Sequence, residues 1–247
     1  MASAPDPQER PLPADDLFER LLRLLSPGRA RFVLVRSDDG PASAAVISEL
    51  LNRHGGDGRV VLHPSDHPPI PYQLEISRYG SWRVIPAHNF PGSIDQTARS
   101  MCATEAVVVA GPKDAMLRAM WLPPSVLEGF AQLPRDSDGV LVVDNWYSLV
   151  EEYLGGIPGR SLWDPDGRDL DPVLVDMFRS LSEVHFVVVT TKSSPTLESN
   201  ADAIVEISPR RVDGSSFEAQ LRRDTLEIPP DRPYFLKLGP NGALAFH

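Results

Sequence analysis

The chain has 247 residues, 42% of them hydrophobic and 23% charged, with a formal net charge of -10. A chain this long buries a sizeable core without covalent staples. So acidic a balance argues against broad electrostatic binding to nucleic acid or anionic membrane. A single cysteine, Cys102, excludes an intrachain disulfide and a cysteine-based zinc site; its context, SMCATEAVVV, suits a small buried hydrophobe.

Residues 1–13 are rich in proline and charge and read as a loose arm, with one domain following over 14–247. The opening stretch, MASAPDPQERPLPADD, has no signal-peptide core. No apolar run approaches the roughly 20 residues that span a bilayer. The expected location is the cytoplasm, with no membrane partner. Asp15 or Asp16 is placed to cap a helix, DDLFERLLRLL, in which Leu17, Phe18, Leu21, Leu22, Leu24 and Leu25 recur at helical spacing. FVLV (Phe32–Val35) is a short continuous apolar run, as in a strand covered on both faces. The turn SDDG follows, with Pro41 suited to the first helical position and Gly40 or Asp39 near the cap. The next helix runs to Gly55-Gly56.

RVVLHPSD (Arg59–Asp66) is the next strand, YQLEISRYG a short helix and WRVIPA a further strand. SIDQTARSMCATE (93–105) reads as a helix and Val107–Gly111 as an apolar strand. Helical segments interrupted at Pro123-Pro124 come next. VLVVDNW is the strongest buried-strand signal in the chain. YSLVEEYLGG looks helical, 155–171 is a loop, and PVLVDMFRSLSEV is a helix. HFVVVTT (His185–Thr191) is another buried strand, and AIVEI follows KSSPTLESNAD. From SFEAQLRR onward the pattern alternates as in antiparallel strands, with a turn at Gly239-Pro240-Asn241-Gly242. Strands alternating with helices predict an α/β fold: a mainly parallel sheet with helices on both faces and antiparallel strands at its C-terminal edge.

Arg31–Arg53 has the layout of a phosphate-binding loop: strand, tight turn, helix. That loop needs G-x-x-x-x-G-K-[ST], because glycine amides close on phosphate, lysine neutralises it and the hydroxyl holds Mg²⁺. Over Arg36-Ser37-Asp38-Asp39-Gly40-Pro41-Ala42-Ser43, only Ser43 falls at a fixed position. Gly40 is one place early, Pro41 has no amide hydrogen, Ala42 has no ammonium, and Asp38 and Asp39 would face the triphosphate. An aspartate there is suited to satisfying the free amides of the helix itself. VLVVD, ending at Asp144, has the form of a Walker B strand, and carboxyl ends of parallel strands are where ligands bind. His63, Asp66 and His67 sit at another strand end, as a metal or acid–base cluster or as a plain loop. Thr190, Thr191 and Lys192 end HFVVV. Arg210, Arg211, Arg222 and Arg223 form a local basic group, either a patch or solvated charges at strand ends.

In the order of these parts the chain resembles the RecA superfamily, KaiC-like ATPase domains of archaea in particular, over about residues 20–247. FVLVRSDDGPASAAVISELL stands where that family has its Walker A strand and helix. VVLHPSDHPP is similar to its second strand, with Asp66 as the acid left there. GVLVVDNWYSLV resembles the Walker B segment, with Asp144 as the Mg²⁺-linked acid. HFVVVTTKSSPTLESNADAIVEI resembles the sensor strand and the strand after it. The resemblance implies a three-layer RecA-like fold. It also implies a degenerate nucleotide site at Arg36, Ser37, Asp38, Asp39, Gly40, Ser43, Asp66 and Asp144. No catalytic residue, metal or cofactor is expected, and ATP with Mg²⁺ is the alternative. The expected function is that of a pseudo-ATPase, a regulatory or assembly partner in an oligomer with RecA-like subunits. The competing expectations are an ATPase using Arg36 or Lys192 to offset phosphate charge, a nucleic-acid accessory factor using Arg222 and Arg223, and an unrelated Rossmann-type enzyme.

Overall fold

A computed structural model of the chain describes residues 11–26, 28–55, 59–63, 69–77, 83–86, 139–147, 171–172, 175, 184–210 and 215–246. The expected helices at 93–105 and around Pro123, the strand Val107–Gly111, and Cys102, Asp66 and His67 lie outside them.

The described elements, in chain order, are α1 (Ala14–Leu24), β1 (Phe32–Ser37), α2 (Gly40–His54), β2 (Arg59–His63), α3 (Ile70–Ser77) and β3 (Arg83–Pro86). They continue with β4 (Val140–Val143), β5 (His185–Thr190), α4 (Pro195–Asn200), β6 (Ala203–Pro209), β7 (Ser216–Asp224) and β8 (Tyr234–Lys237). The strands form one sheet in the order β3-β2-β4-β5-β1-β6-β7-β8. The pairings from β3 through to β6 are parallel; β7 runs antiparallel to both β6 and β8. The mainly parallel α/β sheet with an antiparallel C-terminal extension is as expected.

Burial explains which strands read as continuous runs. Every residue of β4 and β5 is buried, so both faces select Val, Leu and Phe. In β7, Phe217, Ala219 and Leu221 are buried while Glu218 and Gln220 between them are half-buried and Arg222 is exposed. That alternation is what a sheet with one wet face requires. Val33, Val35, Val187, Val189, Val205, Ala219 and Leu221 share one core with Leu17, Phe18, Leu21 and Leu24 of α1 and Val46, Ile47, Leu50 and Leu51 of α2. Each such side chain contributes about 1.5–3 kcal/mol when fully buried. On β1, Leu34 and Arg36 alternate with this set, and Arg36 meets Glu198 of α4 at 2.6 Å.

Local chemistry sets the ends of the elements. Asp15 and Asp16 lie in the first turn of α1, and Pro13 is its N-cap residue. The two carboxylates therefore act on the positive end of the helix instead of capping it. Gly55, at φ 65°, ends α2 in a region that favours glycine. α4 lies within KSSPTLESNAD, where no element was expected. Ser194 caps it, accepting from the Leu197 amide at 3.2 Å, and Pro195 fills its first turn. The N-terminal arm is tied down at Leu12, which exchanges backbone hydrogen bonds with Pro233 and Phe235 along β8. The Arg53 guanidinium lies over the rings of both Phe18 and Phe246, 4.9 and 4.6 Å from their centroids, and the two rings meet edge-on, which holds the C-terminal residues against α1. Among the described residues no helix is long and apolar enough to cross a membrane.

Candidate functional site at the carboxyl edge of the sheet

β1, β2, β4 and β5 run parallel, so their carboxyl ends share one edge. β5 separates β1 from β4, which puts the two strands roughly 10 Å apart; Val143 is level with Leu34 through Val188, so β1 runs on past the end of β4 to Ser37. The turn after β1 therefore stands on the same edge as Asp144.

That turn is closed by its own side chains. Asp39, the N-cap of α2, accepts from the Ala42 amide at 2.8 Å. The Ser37 hydroxyl accepts from the Asp39 amide at 3.1 Å and donates to the Asp39 carbonyl at 3.0 Å. The Ser43 amide donates to the Asp39 carbonyl at 3.0 Å, and the Ser43 hydroxyl donates to the Gly40 carbonyl at 3.0 Å. The amides of Asp39, Ala42 and Ser43 and the Ser43 hydroxyl, which a phosphate could recruit at a helix N-terminus, are thus engaged locally. Gly40 is not in the left-handed region, which among the described glycines holds only Gly28, Gly55 and Gly242. Asp38 is exposed beside the turn.

Arg36, the one cation at the strand end, is also engaged. It binds Glu198 at 2.6 Å and Glu206 closely, and the other Glu206 oxygen accepts from Arg222 at 2.6 Å. The Ser193 hydroxyl and, after it, the Arg36 guanidinium hold the Glu198 carboxyl below its usual range, against burial, which acts the other way. This alternating chain of charges borders an open cavity of about 540 Å³ lined by Ser37, Asp38, Gln220 and other polar groups. Arg210 pairs with Glu218 at 3.0 Å and Arg223 donates to the Glu198 carbonyl at 3.0 Å. The described members of the basic group are therefore each paired with an acid or a carbonyl.

Asp144 ends β4 as expected, but its partner is His63 from the end of β2, whose Nδ1 lies 2.8 Å from Asp144 Oδ2. Both side chains are buried. Tyr72 of α3 packs edge-on to the His63 ring, with centroids 5.8 Å apart. Burial first, and then the charge and hydrogen bond of Asp144, push the Tyr72 phenol well above its ordinary pKa. Asp144 thus belongs to a histidine–tyrosine cluster, and His63 is joined to it and not read through its sequence neighbours. The pair is separated by 81 positions, a distance that local spacing does not reveal.

Asn145, at φ 51°, occupies the left-handed region that asparagine tolerates better than most residues. The chain turns there and sends Trp146 inward. Buried Asp171 accepts from Trp146 Nε1 at 2.7 Å, from the Tyr147 hydroxyl at 3.0 Å and from the Ser194 hydroxyl. It ties the β4 end to the start of α4. Lys192 Nζ lies 5.3 Å from the centre of the Tyr147 ring, and Thr190 closes a turn with the Lys192 backbone. Sequence reasoning placed Asp144, Thr190 and Lys192 on this edge; Tyr72, Asp171 and Ser194 carried no motif. No protein-family model and no curated protein sequence matches the chain.

Proposed function

We propose that this chain is a RecA-like domain of the KaiC-like type whose nucleotide site has given way to a self-capped turn. It acts without catalysis, as a regulatory or assembly partner in an oligomer with RecA-like subunits. The observation that carries the reading is the Asp39 carboxylate on the Ala42 amide. It occupies, with a negative charge, the place where the related loop presents amides to phosphate. A phosphate brought within about 4 Å of that carboxylate meets roughly 1 kcal/mol of repulsion in water and about 4 kcal/mol at an effective dielectric of 20.

Two further observations support it. The sheet order keeps the loop after β1, Asp144 after β4 and Thr190 at the end of β5 on one edge, as the resemblance requires. The groups that an atypical ATPase would turn toward phosphate are held elsewhere: Arg36 by Glu198 and Glu206, Lys192 over Tyr147, and Asp144 by His63. Calorimetric titration with Mg-ATP and with Mg-ADP tests the proposal. No saturable heat is expected up to millimolar nucleotide; micromolar binding of either would refute it.

A further inference from the structure

The loop joining β7 to β8 is pinned on several sides and yet holds its apolar side chains outward. Asp224 Oδ1 accepts from the amides of Leu226 and Glu227, at 2.8 and 3.3 Å. From α1, Arg20 reaches Asp224 at 3.6 Å and Glu227 at 3.1 Å, and donates to the Ile228 carbonyl at 3.4 Å. Arg23 meets Glu227 at 2.6 Å. The Thr225 amide donates to the Asp202 carbonyl at 3.0 Å, and the Gln220 side chain donates to the Pro230 carbonyl at 3.2 Å. Within this frame Leu226 is 48% exposed and Ile228 90%.

A connector braced in this way gains nothing from an isoleucine at its tip. What the brace does supply is order before contact. The conformational freedom that association would otherwise remove is already lost on folding, which favours binding through this loop. The charge around it indicates the occupant. At Leu226–Ile228 the charged groups engaged are Arg20, Arg23, Asp224 and the tip's own Glu227, two of each sign, on a chain whose net charge is -10. A two-fold contact presents one patch to itself, and two copies of an acidic protein meet best where the patch is neutral.

We infer that Leu226 and Ile228 form a hydrophobic knob through which two copies of this chain pair about a two-fold axis. The contact is small beside the roughly 800 Å² per partner of a stable complex, so the pairing is weak and concentration-dependent. It strengthens with added salt, because salt screens the mutual repulsion of the two acidic bodies while leaving the apolar contact in place. The inference rests on the proposed associative function only for the class of partner. Nucleotide binding seen by calorimetry would remove that function and leave this contact to be decided separately.

The test is sedimentation velocity of the full chain from about 10 to about 500 µM, a range that brackets weak association, at low and at high NaCl. The wild type is expected to move from monomer toward dimer as concentration rises, more so at high salt. Ile228→Asp is expected to stay monomeric throughout, and Leu226→Ser to weaken the pairing by roughly tenfold, about 1.4 kcal/mol. Thermal melts confirm that both variants fold. A wild type that stays monomeric over the whole range overturns the inference. So does an Ile228→Asp variant that associates like the wild type, or association that weakens as salt rises.

Discussion

Replacing Asp39 with alanine tests the self-capped turn directly. The change removes the acceptor 2.8 Å from the Ala42 amide and leaves an N–H at the start of α2 without its partner. Losing an aspartate cap costs about 1 kcal/mol, within a range of roughly 0.5–2. Two features place this site in the upper half of that range. Residues 42–48 of α2 are all buried, so the first turn cannot fray without uncovering core. The Asp39 amide and carbonyl are already committed to Ser37 and Ser43, so the turn has little freedom to rearrange toward water. For a chain of this size, about 1 kcal/mol lowers the melting temperature by about 2–4 °C. Asp39→Asn and Asp39→Ser keep an acceptor and are expected to remain within about 0.5 kcal/mol of wild type. Urea denaturation followed by circular dichroism, with scanning calorimetry for the melting temperature, gives the comparison. If Asp39→Ala matches wild type, the cap contributes nothing. If Asp39→Asn falls as far as Asp39→Ala, the contribution lies in charge at the helix end and the hydrogen-bond argument is wrong.

Two further outcomes are expected. Glu198 has a depressed pKa in the folded chain, so its stabilising effect is present above the ordinary glutamate value of about 4.3 and is lost as pH falls through the lower folded value. The melting-temperature gap between wild type and Glu198→Gln should therefore hold steady near neutrality and close on acidification; a gap that persists in strong acid contradicts the assignment. Asp171→Ala strands the Trp146, Tyr147 and Ser194 donors, at roughly 1–3 kcal/mol for a buried group left unpaired. Denaturant midpoints should show a loss of about 3 kcal/mol, with Asp171→Asn intermediate because its amide oxygen still accepts.

The strands were legible where burial is complete. FVLV, VLVV and FVVV are apolar at every position because both faces are covered, and such runs need no knowledge of their partners. The helix start at Asp39 was legible too, since caps are local chemistry. α4 was overlooked although Ser194-Pro195 is itself a start signal, because its few residues show too little apolar periodicity. Side-chain partnerships were the least legible. His63 stands beside Asp66 and His67 in sequence but bonds to Asp144 because β2 and β4 are neighbours in the sheet. Arg36 read as a cation available for phosphate, and only the register of β1 with β6, which sets it opposite Glu206, shows it to be engaged.

The place of β1 in the sheet also sets an order of events during synthesis. Its hydrogen-bonding neighbours are β5 and β6, with Phe32 opposite Phe186 and Val33 opposite Ala203. β1 therefore leaves the ribosome long before either of its neighbours exists. Until residues 185–209 are made, Val33 and Val35 have α1 and α2 among the elements that share their core, while both edges of the strand stay unpaired. Closing so long a span carries a large entropic barrier before any contact compensates it. This predicts slow final assembly, with the centre of the sheet completed last and the early half dependent on protection from aggregation until then.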